Sequence, residues 1–424
     1  MMRFETAQAA ADWINGARWK GEKNGLENTR ALLAELNHPQ ERMGRIIHVA
    51  GTNGKGSTCA MIDRALRECG YKTGLFTSPY LCSFGERIRF NGAPIPDEDL
   101  ISVASRVREA AENLYAKGIY TTTFELLTAC ACLYYADKNA DFSVMEVGMG
   151  GRLDSTNVLQ PAVCAIAMIG MDHMSKLGNT LAEIAGEKAG IMKSGVPAVV
   201  LTQDESVMRV FRETARSLRV PLFETGVIHR MSQDRNGFEI AVELPTNGLT
   251  RVKGNLPGAH QEKNAAIAAN VLDRLNIDMS KALSGMEKAV WPGRLEWVEN
   301  VLIDGAHNPQ GAHALKSYLE KYVPERPIVL LTGMMQDKQV DACASIFKSF
   351  SDYVVTTHVG WPRAVNCLEL KNYYKNAMAF DSVEAALTHA RGLAGKDGCV
   401  VCAGSIYLAG DVRNLLLPED KGCI

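Results

Sequence analysis

Short apolar runs rich in β-branched residues alternate with amphipathic helical runs along this chain. The alternation predicts parallel strands joined by helical crossovers. Strands of a first sheet are predicted at residues 46–50, 73–77, 142–147, 163–169 and 196–201. Helices are predicted at residues 57–69, where Gly70 closes the helix, at residues 97–115, and from about residue 261 to residue 275. The pattern therefore indicates an α/β fold.

A second series of strands begins after Trp291-Pro292-Gly293-Arg294, where the periodicity breaks. Its predicted strands are residues 301–304, 328–332, 353–357 and 400–403. Residues 238–255 predict a small antiparallel addition with a polar break at Thr246-Asn247-Gly248. Because 424 residues exceed what one hydrophobic core usually organises, we expect two domains. Ligands are then expected at the carboxyl ends of strands and in the cleft between the domains.

The composition is that of an ordinary globular protein, with 46% hydrophobic and 22% charged residues. A formal net charge of -2 offers no broad attraction to a polyanion, so nucleic acid is not an expected partner. Residues 1–12 lack the apolar core of a signal peptide, and the most apolar stretch, residues 161–171, is too short to span a bilayer. We therefore expect a cytoplasmic protein without a membrane partner.

The 11 cysteines are scattered through apolar segments, which indicates free thiols in a reducing compartment rather than a disulfide framework. Cys399 and Cys402 have the spacing of a CxxC pair. However, the segment around them is predicted to be a strand, where an odd separation places two side chains on opposite faces. No zinc or redox role is expected for this pair.

A glycine-rich loop, Gly51-Thr52-Asn53-Gly54-Lys55-Gly56-Ser57, lies between a predicted strand and a predicted helix. Glycines let backbone N–H groups approach phosphate oxygens, the helix N-terminus adds partial positive charge, and Lys55 supplies a point charge for the terminal phosphates. The loop departs from the strict phosphate-loop pattern because Gly56 separates Lys55 from Ser57. The alternative is a turn that binds nothing, but two glycines beside the lysine cost helix stability that packing alone does not require. The sequence predicts a nucleoside triphosphate site.

Two polar residues follow apolar strands near this loop. Glu146 ends one such strand, where an ionised carboxylate is costly to bury unless a cation or a hydrogen-bond donor meets it. The alternative is a solvated glutamate at a strand end. His173 follows the apolar residues 163–171, and a lone histidine there is as readily a satisfied side chain as a ligand.

Several motifs, taken in order, resemble those of the Mur ligase superfamily and narrow the resemblance to its folylpolyglutamate and dihydrofolate synthase branch. Beside the loop at residues 51–57, they are Thr77-Ser78-Pro79-Tyr80-Leu81, Glu86-Arg87, Thr123-Phe124-Glu125, residues 146–157, Asp172-His173, residues 187–191, residues 260–264, Pro292-Gly293-Arg294 and residues 304–309. The match runs over nearly the whole chain. Two departures are Tyr80, where the family often has histidine, and Ser155, commonly alanine in bifunctional members.

The resemblance implies a fold and a metal site. The expected fold is a P-loop-type, mainly parallel sheet flanked by helices in residues 1–293, plus a smaller Rossmann-like α/β domain in residues 294–424. Mg²⁺, as two ions, would be held at Ser78, Glu146 and His173, although Ser57 is the ligand that general phosphate-loop logic would choose. Lys188 matches a position that is carbamylated in the family, whereas composition alone favours a surface lysine paired with a neighbouring glutamate. Carbamylation requires a neutral amine and hence a lowered pKa.

The resemblance also implies two groups of binding residues. Asn264, Arg294, Asp304 and His307 would join Thr52, Asn53, Gly54, Lys55, Gly56 and Ser57 at ATP. The alternatives are a helix-capping Asn264, a surface Arg294 and a turn at Asp304. Thr122, Phe124, Leu153, Asp154 and Ser155 would contact the pterin-bearing substrate. Either Phe124 or Asp154 could equally be structural, the first as core and the second as a turn residue.

The expected reaction is ATP-dependent ligation of L-glutamate to 7,8-dihydropteroate, and then to folates, through an acyl phosphate, with Lys55, Glu146, His173 and Lys188 as catalytic residues. The expected partners are these small molecules, and the expected state is a monomer. A monofunctional folylpolyglutamate synthase is the first alternative. A cell-wall Mur ligase would need a uridine-binding domain ahead of the loop at Gly51, for which too little chain is present. A nucleotide-binding regulator without ligase activity is the third.

Overall fold

Two large β-sheets organise the chain in a computed structural model that describes residues 3–17 and 25–418. The helices are α1 Ala7–Asn15, α2 Glu27–Glu35, α3 Lys55–Glu68, α4 Asp97–Tyr115, α5 Thr123–Asp137, α6 Met174–Leu177, α7 Leu181–Ala189, α8 Glu205–Leu218, α9 Ala259–Asp273, α10 Met279–Glu287, α11 Pro309–Tyr322, α12 Val340–Lys348, α13 Cys367–Lys371, α14 Val383–Ala394 and α15 Ile406–Leu416. The strands are β1 Arg45–Ala50, β2 Thr73–Phe76, β3 Ile88–Phe90, β4 Ala93–Pro94, β5 Phe142–Glu146, β6 Val163–Ile166, β7 Ala198–Val200, β8 Leu222–Glu224, β9 Ile228–Gln233, β10 Phe238–Leu244, β11 Gly248–Gly254, β12 Glu296–Val298, β13 Val301–Ile303, β14 Ile328–Thr332, β15 Tyr353–Thr357, β16 Met378–Phe380 and β17 Cys399–Ala403.

The first sheet has eight strands in the order β4-β3-β2-β5-β1-β6-β7-β8. The five predicted strands form its parallel centre, whereas β3 and β4 are antiparallel at one edge. Both faces of β1 are covered, since Ile47 packs with Ile62 of α3 and Ile267 of α9, while Ile46 packs with Leu127 of α5. Burial on both faces is the reason that these strands are continuously apolar. The predicted α/β class with a mainly parallel sheet flanked by helices is confirmed.

A separate antiparallel sheet has the order β11-β10-β9. The hairpin predicted in residues 238–255 is present, and Leu244 pairs with Gly248 across the predicted polar break. The third strand, β9, was not predicted. Its four central residues are exposed, so it lacks the apolar alternation by which a strand is recognised.

The second large sheet has six strands in the order β12-β13-β17-β14-β15-β16, and β12 alone is antiparallel to its neighbour. The four strands predicted after residue 294 form its centre. Cys399 packs with Leu330 on one face, and Cys402 packs with Leu331 on the other, as the strand prediction required. Among residues 3–17 and 25–418, no helix is both long enough and apolar enough to cross a membrane.

Candidate functional site

A cavity of about 920 Å³ lies between the two large sheets, at the carboxyl ends of their central strands. This is the place expected for ligands in open α/β sheets. All residues predicted for ATP, metal and catalysis line it, namely Thr52, Asn53, Gly54, Lys55, Gly56, Ser57, Ser78, Glu146, His173, Lys188, Asn264, Arg294, Asp304 and His307. The five residues predicted for the pterin are not among its lining residues.

The phosphate loop joins the end of β1 to the start of α3. Gly54 has a φ of 87°, and a Cβ at this position would overlap the side-chain oxygen of Asn264, so only glycine fits. The ammonium of Lys55 donates to the carbonyls of Gly51 at 3.1 Å and Thr52 at 3.3 Å. Lys55 thus folds back over its own loop, beside the N–H groups of the first turn of α3, which have no partner within the helix. This arrangement can hold an anionic phosphate chain.

Glu146 ends β5 directly opposite Lys55, with 3.9 Å between the carboxylate and the ammonium. Its side chain is buried, and its second oxygen accepts a hydrogen bond of 2.9 Å from the backbone N–H of Ser78. Burial raises the pKa of Glu146, and the charge of Lys55 opposes this shift. The carboxylate is therefore not the solvated strand-end glutamate of the alternative interpretation.

The described residues contain no group of three His, Cys, Asp or Glu side chains that could hold a metal ion. Any Mg²⁺ here would have few protein ligands and would complete its shell with phosphate and water oxygens, as this ion commonly does. Glu146 offers a carboxylate, and Ser78 is held beside it by the backbone hydrogen bond. Burial, and then the charge of Lys338, lowers the pKa of His173 to about 4, so its imidazole is neutral near pH 7.

Lys188 lies on α7 with only 3% of its surface exposed, so it is not a surface lysine. Burial, and then the nearby charge of Lys55, lowers its pKa to about 7. The neighbouring Glu187 pairs with Arg152 instead, at 3.4 Å. Among the described residues, the Lys188 amine makes no hydrogen bond or ion pair. A buried amine that is partly neutral near pH 7 can react with carbon dioxide.

The remaining nucleotide-side residues come from α9 and from the start of the second sheet. Asn264 is buried in the body of α9 and donates to Gln261 at 2.8 Å, so it is not a helix cap. Asp304 is buried after β13 and accepts backbone N–H bonds from Leu295 and Ala306, both at 2.9 Å. Burial raises its pKa, and the charge of Arg294 opposes the shift. Asp304 thus organises a turn and also faces the cavity.

A polar seam joins the two large sheets beside the phosphate loop, and sequence reasoning missed it. Asp172 accepts from the ammonium of Lys338 at 2.8 Å and lies 3.5 Å from the ring of His307. Asn308 donates to Asn53 of the phosphate loop at 3.0 Å. Burial raises the pKa of Asp172, but the hydrogen bond from His307 and the charge of Lys338 outweigh burial and hold this pKa below its usual range. The sequence carried one signal for this seam: Lys338 lies in the loop after β14, and such loops lie at the carboxyl edge of a sheet.

Two of the five residues predicted for the pterin, Phe124 and Asp154, contact the loop at residues 148–150, which lines the cavity. Phe124 packs on Phe76 with 5.6 Å between ring centres, and a Cβ on Gly148 would overlap its ring. Thr122 is the N-cap of α5, and the side chain of Leu153 is exposed. Asp154 accepts a hydrogen bond from the backbone N–H of Met149, and the hydroxyl of Ser155 lies 2.6 Å from that of Thr128. The structure therefore places Phe124 and Asp154 against one wall of the cavity.

The chain is similar to characterised ligases over its whole length. The Mur ligase middle domain matches residues 49–272, and the Mur ligase glutamate ligase domain matches residues 293–406. The chain is 36% identical to the dihydrofolate synthase/folylpolyglutamate synthase of Bacillus subtilis, over 97% of this chain and 100% of the relative. Mycobacterium tuberculosis folylpolyglutamate synthase complexed with ADP superposes with a TM-score of 0.89 and 30% identity, covering 97% of this chain and 99% of that one. E. coli FolC in complex with DHPP and ADP superposes with a TM-score of 0.87 and 28% identity, covering 98% of each chain.

Proposed function

Because this chain belongs to the folylpolyglutamate and dihydrofolate synthase family of Mur ligases, we propose that it joins L-glutamate to 7,8-dihydropteroate and to folates. The reaction uses ATP and releases ADP and phosphate. One observation carries the proposal: the loop around Lys55, the buried Glu146 and the buried Lys188 converge on a cavity that residues of the second sheet complete. That convergence supplies the charges which phosphoryl transfer to a carboxylate requires.

The triphosphate would lie along the phosphate loop, with its terminal phosphates at Lys55 and the N-terminus of α3. When bound, Mg²⁺, in two ions, would neutralise the phosphate charge and polarise the γ-phosphorus. Glu146, His173 and Ser78 are the residues proposed to hold it, with Ser57 as the alternative to Ser78. Ser57 already accepts a hydrogen bond of 3.2 Å from Gln261, whereas Ser78 is tied to Glu146 through its backbone only, which favours Ser78.

The chemistry then has two steps. The carboxylate of the folate substrate attacks the γ-phosphorus, the bond to ADP breaks, and an acyl phosphate forms. The amine of L-glutamate attacks the acyl carbon, phosphate leaves, and the amide remains after the nitrogen loses its proton. We propose that Lys188 acts as its carbamate, an anion able to orient the metal. Its burial and its lowered pKa support this assignment.

Closure of the two halves of the chain protects the intermediate. Asp304 and His307 reach the cavity from the second sheet, and Arg294 lies at its start. We propose that these residues and Asn264 bind the nucleotide, so that the complete site exists only when the sheets are together. Exclusion of water in that state limits hydrolysis of the acyl phosphate.

Three further proposals concern the whole protein and its acceptor. The division at residue 293/294 is proposed as the domain boundary, because every strand of the second sheet follows it. A monomer is proposed, as the resemblance to the family implies, and a cytoplasmic location is proposed because all the described cysteines are free. Thr122, Phe124, Leu153, Asp154 and Ser155 are proposed to serve the pterin at the wall formed by residues 148–150, which Phe124 and Asp154 contact.

A substrate panel tests the proposal. Phosphate release is measured with ATP, Mg²⁺ and L-glutamate, adding either 7,8-dihydropteroate or tetrahydrofolate, and the products are identified by mass spectrometry. Glutamylation of both acids is expected. Glutamylation of tetrahydrofolate alone would identify a monofunctional folylpolyglutamate synthase, and ATP binding without phosphate release in any mixture would identify a regulator.

A further inference from the structure

A buried chain of hydrogen bonds runs from the phosphate-loop strand to the wall of the cavity. His48 of β1 is fully buried, and its Nε2 lies 2.8 Å from the hydroxyl of Thr156. That hydroxyl lies 2.6 Å from Oδ1 of Asp154, which also accepts the backbone N–H of Thr156 at 3.0 Å. Oδ2 of Asp154 accepts the backbone N–H of Met149 at 3.0 Å. Met149 itself lines the cavity.

The direction of each bond in the chain is fixed. Backbone N–H groups donate to both oxygens of Asp154, so both oxygens are acceptors and the Thr156 hydroxyl supplies the proton of its bond to Oδ1. The Thr156 oxygen must then accept from His48, whose Nε2 therefore carries the proton. Nδ1 of His48 has no hydrogen-bond partner among the described residues. Burial, and then the charge of Lys193, lowers the pKa of His48 to about 3, so the ring is neutral near pH 7.

The loop at the end of this chain has little room to move. A Cβ on Gly148 would overlap the ring of Phe124, and a Cβ on Gly151 would lie 2.7 Å from the carbonyl of Glu187 and 3.0 Å from Cα of Lys188. The loop is therefore packed between the aromatic wall and the helix that carries Lys188. Between these two packed glycines, the side chain of Met149 is exposed, and its backbone N–H is tied to Asp154.

We propose that His48 and Thr156 are positioning residues for the acceptor acid, holding the Asp154 carboxylate and, through it, the 148–151 wall against which that acid binds. Neither residue lines the cavity, so both act at a distance. The inference rests on the proposed function, which places the pterin-bearing acid at this wall. Among the described residues, the side chains of His48 and Thr156 make no hydrogen bond with residues 52–57, where the nucleotide is proposed to bind.

Substitutions of Thr156 and His48 test the proposal against a matched control. Thr156→Val keeps the shape and removes the hydroxyl, and it should raise the KM for 7,8-dihydropteroate about tenfold while the KM for ATP stays within about twofold, since a lost buried hydrogen bond displaces only this wall. Thr156→Ser should restore the wild-type KM. Thr73→Val is the control, because the buried Thr73 hydroxyl also bonds an aspartate, Asp63, at 2.5 Å but lies on β2. It should lower the melting temperature without changing the ratio of the two KM values.

The His48 variants keep the test decisive if Thr156→Val does not fold. His48→Gln retains a donor toward Thr156, whereas His48→Leu does not, so only His48→Leu should raise the KM for the acceptor. Equal shifts of both KM values in Thr156→Val, the same shift in Thr73→Val, or identical behaviour of the two His48 variants would overturn the proposal.

Hydrogen exchange separates this inference from the proposed function. A wild-type protein inactive on both acids would refute the proposed function. The Met149 amide should still exchange faster in Thr156→Val or His48→Leu than in wild type, because its acceptor, the Asp154 carboxylate, is then held less firmly. Unchanged exchange in the peptide covering residues 148–154 would refute the positioning chain whatever the substrate.

Discussion

Buried ionisable side chains distinguish the site at the scale of single residues. Glu146, Lys188 and Asp304 are all buried. Burial raises the pKa of the two carboxyl groups and lowers the pKa of the lysine, so it favours the neutral form of each group. Burying such groups is unfavourable unless an ion or a ligand compensates. The three groups face one cavity, so the compensating species is expected to be the bound nucleotide with its metal.

Lys188→Met should separate activity from stability. The methionine removes a buried amine, so we expect the free energy of unfolding to rise by about 0.5–2 kcal/mol. We expect kcat to fall about 10–100-fold, because an anion that orients the metal is lost. Lys193→Met is the control: its ammonium donates to the backbone and side-chain oxygens of Asn157 at 2.9 and 2.8 Å, so it should lose stability and keep kcat. A Lys188→Met enzyme with wild-type kcat would contradict the carbamate.

The wild-type enzyme should depend on pH and on carbon dioxide through the same amine. The folded pKa of about 7 lies below the ordinary value of 10.5, so the neutral, reactive fraction grows as pH rises through 7. Between about pH 7 and pH 10.5, this lysine is protonated in the unfolded chain but mostly neutral in the folded protein. The group therefore makes the free energy of unfolding increase with pH across that range. Activity in buffer depleted of carbon dioxide should recover on addition of bicarbonate, and recovery should be lost below pH 6. Activity independent of bicarbonate at every pH would oppose the assignment.

Residue types and spacing identified the glycine-rich loop that lines the cavity but not the polar seam beside it. Lys55 and its glycines carry their chemistry in adjacent positions, so the loop is visible in the sequence. Asp172 and Lys338 are 166 positions apart and become a pair only after the sheets meet. The hydrogen bonds of Ser155 to Thr128 of α5 and of Thr156 to His48 of β1 were likewise invisible, because each joins residues that are far apart in the sequence.

At the scale of secondary structure, the sequence predicted some helices and strands closely and missed others. The central strands and α3, α4 and α9 were predicted within a few residues of their observed bounds. Helix α5 was not predicted, because apolar residues occupy all its sides and twelve of its residues are buried, which removes the amphipathic period. Strand β9 was missed for the opposite reason, because its centre is polar and exposed.

Gly54 and Gly70, the two glycines that flank α3, offer a test of the phosphate loop. Gly54 and Gly70 have φ values of 87° and 89°, so alanine carries a left-handed cost of about 1–2 kcal/mol at either position. A Cβ at Gly54 would also collide with Asn264, whereas nothing lies within 4 Å of a Cβ at Gly70. Gly54→Ala should weaken ADP binding at least about tenfold. Gly70→Ala should reduce stability only, as isothermal titration and thermal unfolding would show. Equal ADP affinities in the two variants would contradict the assigned loop.

At the scale of the whole molecule, the polar seam is one of the contacts that join the two large sheets. Asp172, Asn53 and Met174 on the first side meet Lys338, Asn308 and Gln339 on the second. The phosphate loop is itself part of the seam through Asn53. We therefore propose that nucleotide binding at the loop and closure of the two halves are coupled through these shared hydrogen bonds.

Lys338→Met should open the molecule. The Asp172 carboxylate is mostly buried and would lose its nearest cation, so the closed form becomes less favourable. We expect a larger radius of gyration by small-angle X-ray scattering in the presence of ADP, together with a lower kcat. Lys316→Met is the control, since the one ion pair of Lys316 with a described residue runs along α11 to Glu320 at 3.7 Å. If the radius of gyration and kcat of Lys338→Met were unchanged, the seam would have no part in the mechanism.

The most direct measurement of the central claim is the initial rate of phosphate release by Lys55→Ala at saturating ATP, L-glutamate and 7,8-dihydropteroate. Lys55 is the one cation placed both over the phosphate loop and opposite Glu146 among the residues that the structure describes. We predict a loss of at least about 100-fold relative to wild type, because a positioned charge that stabilises the transferring phosphoryl group is removed. A rate within about threefold of wild type in a folded variant would contradict the account.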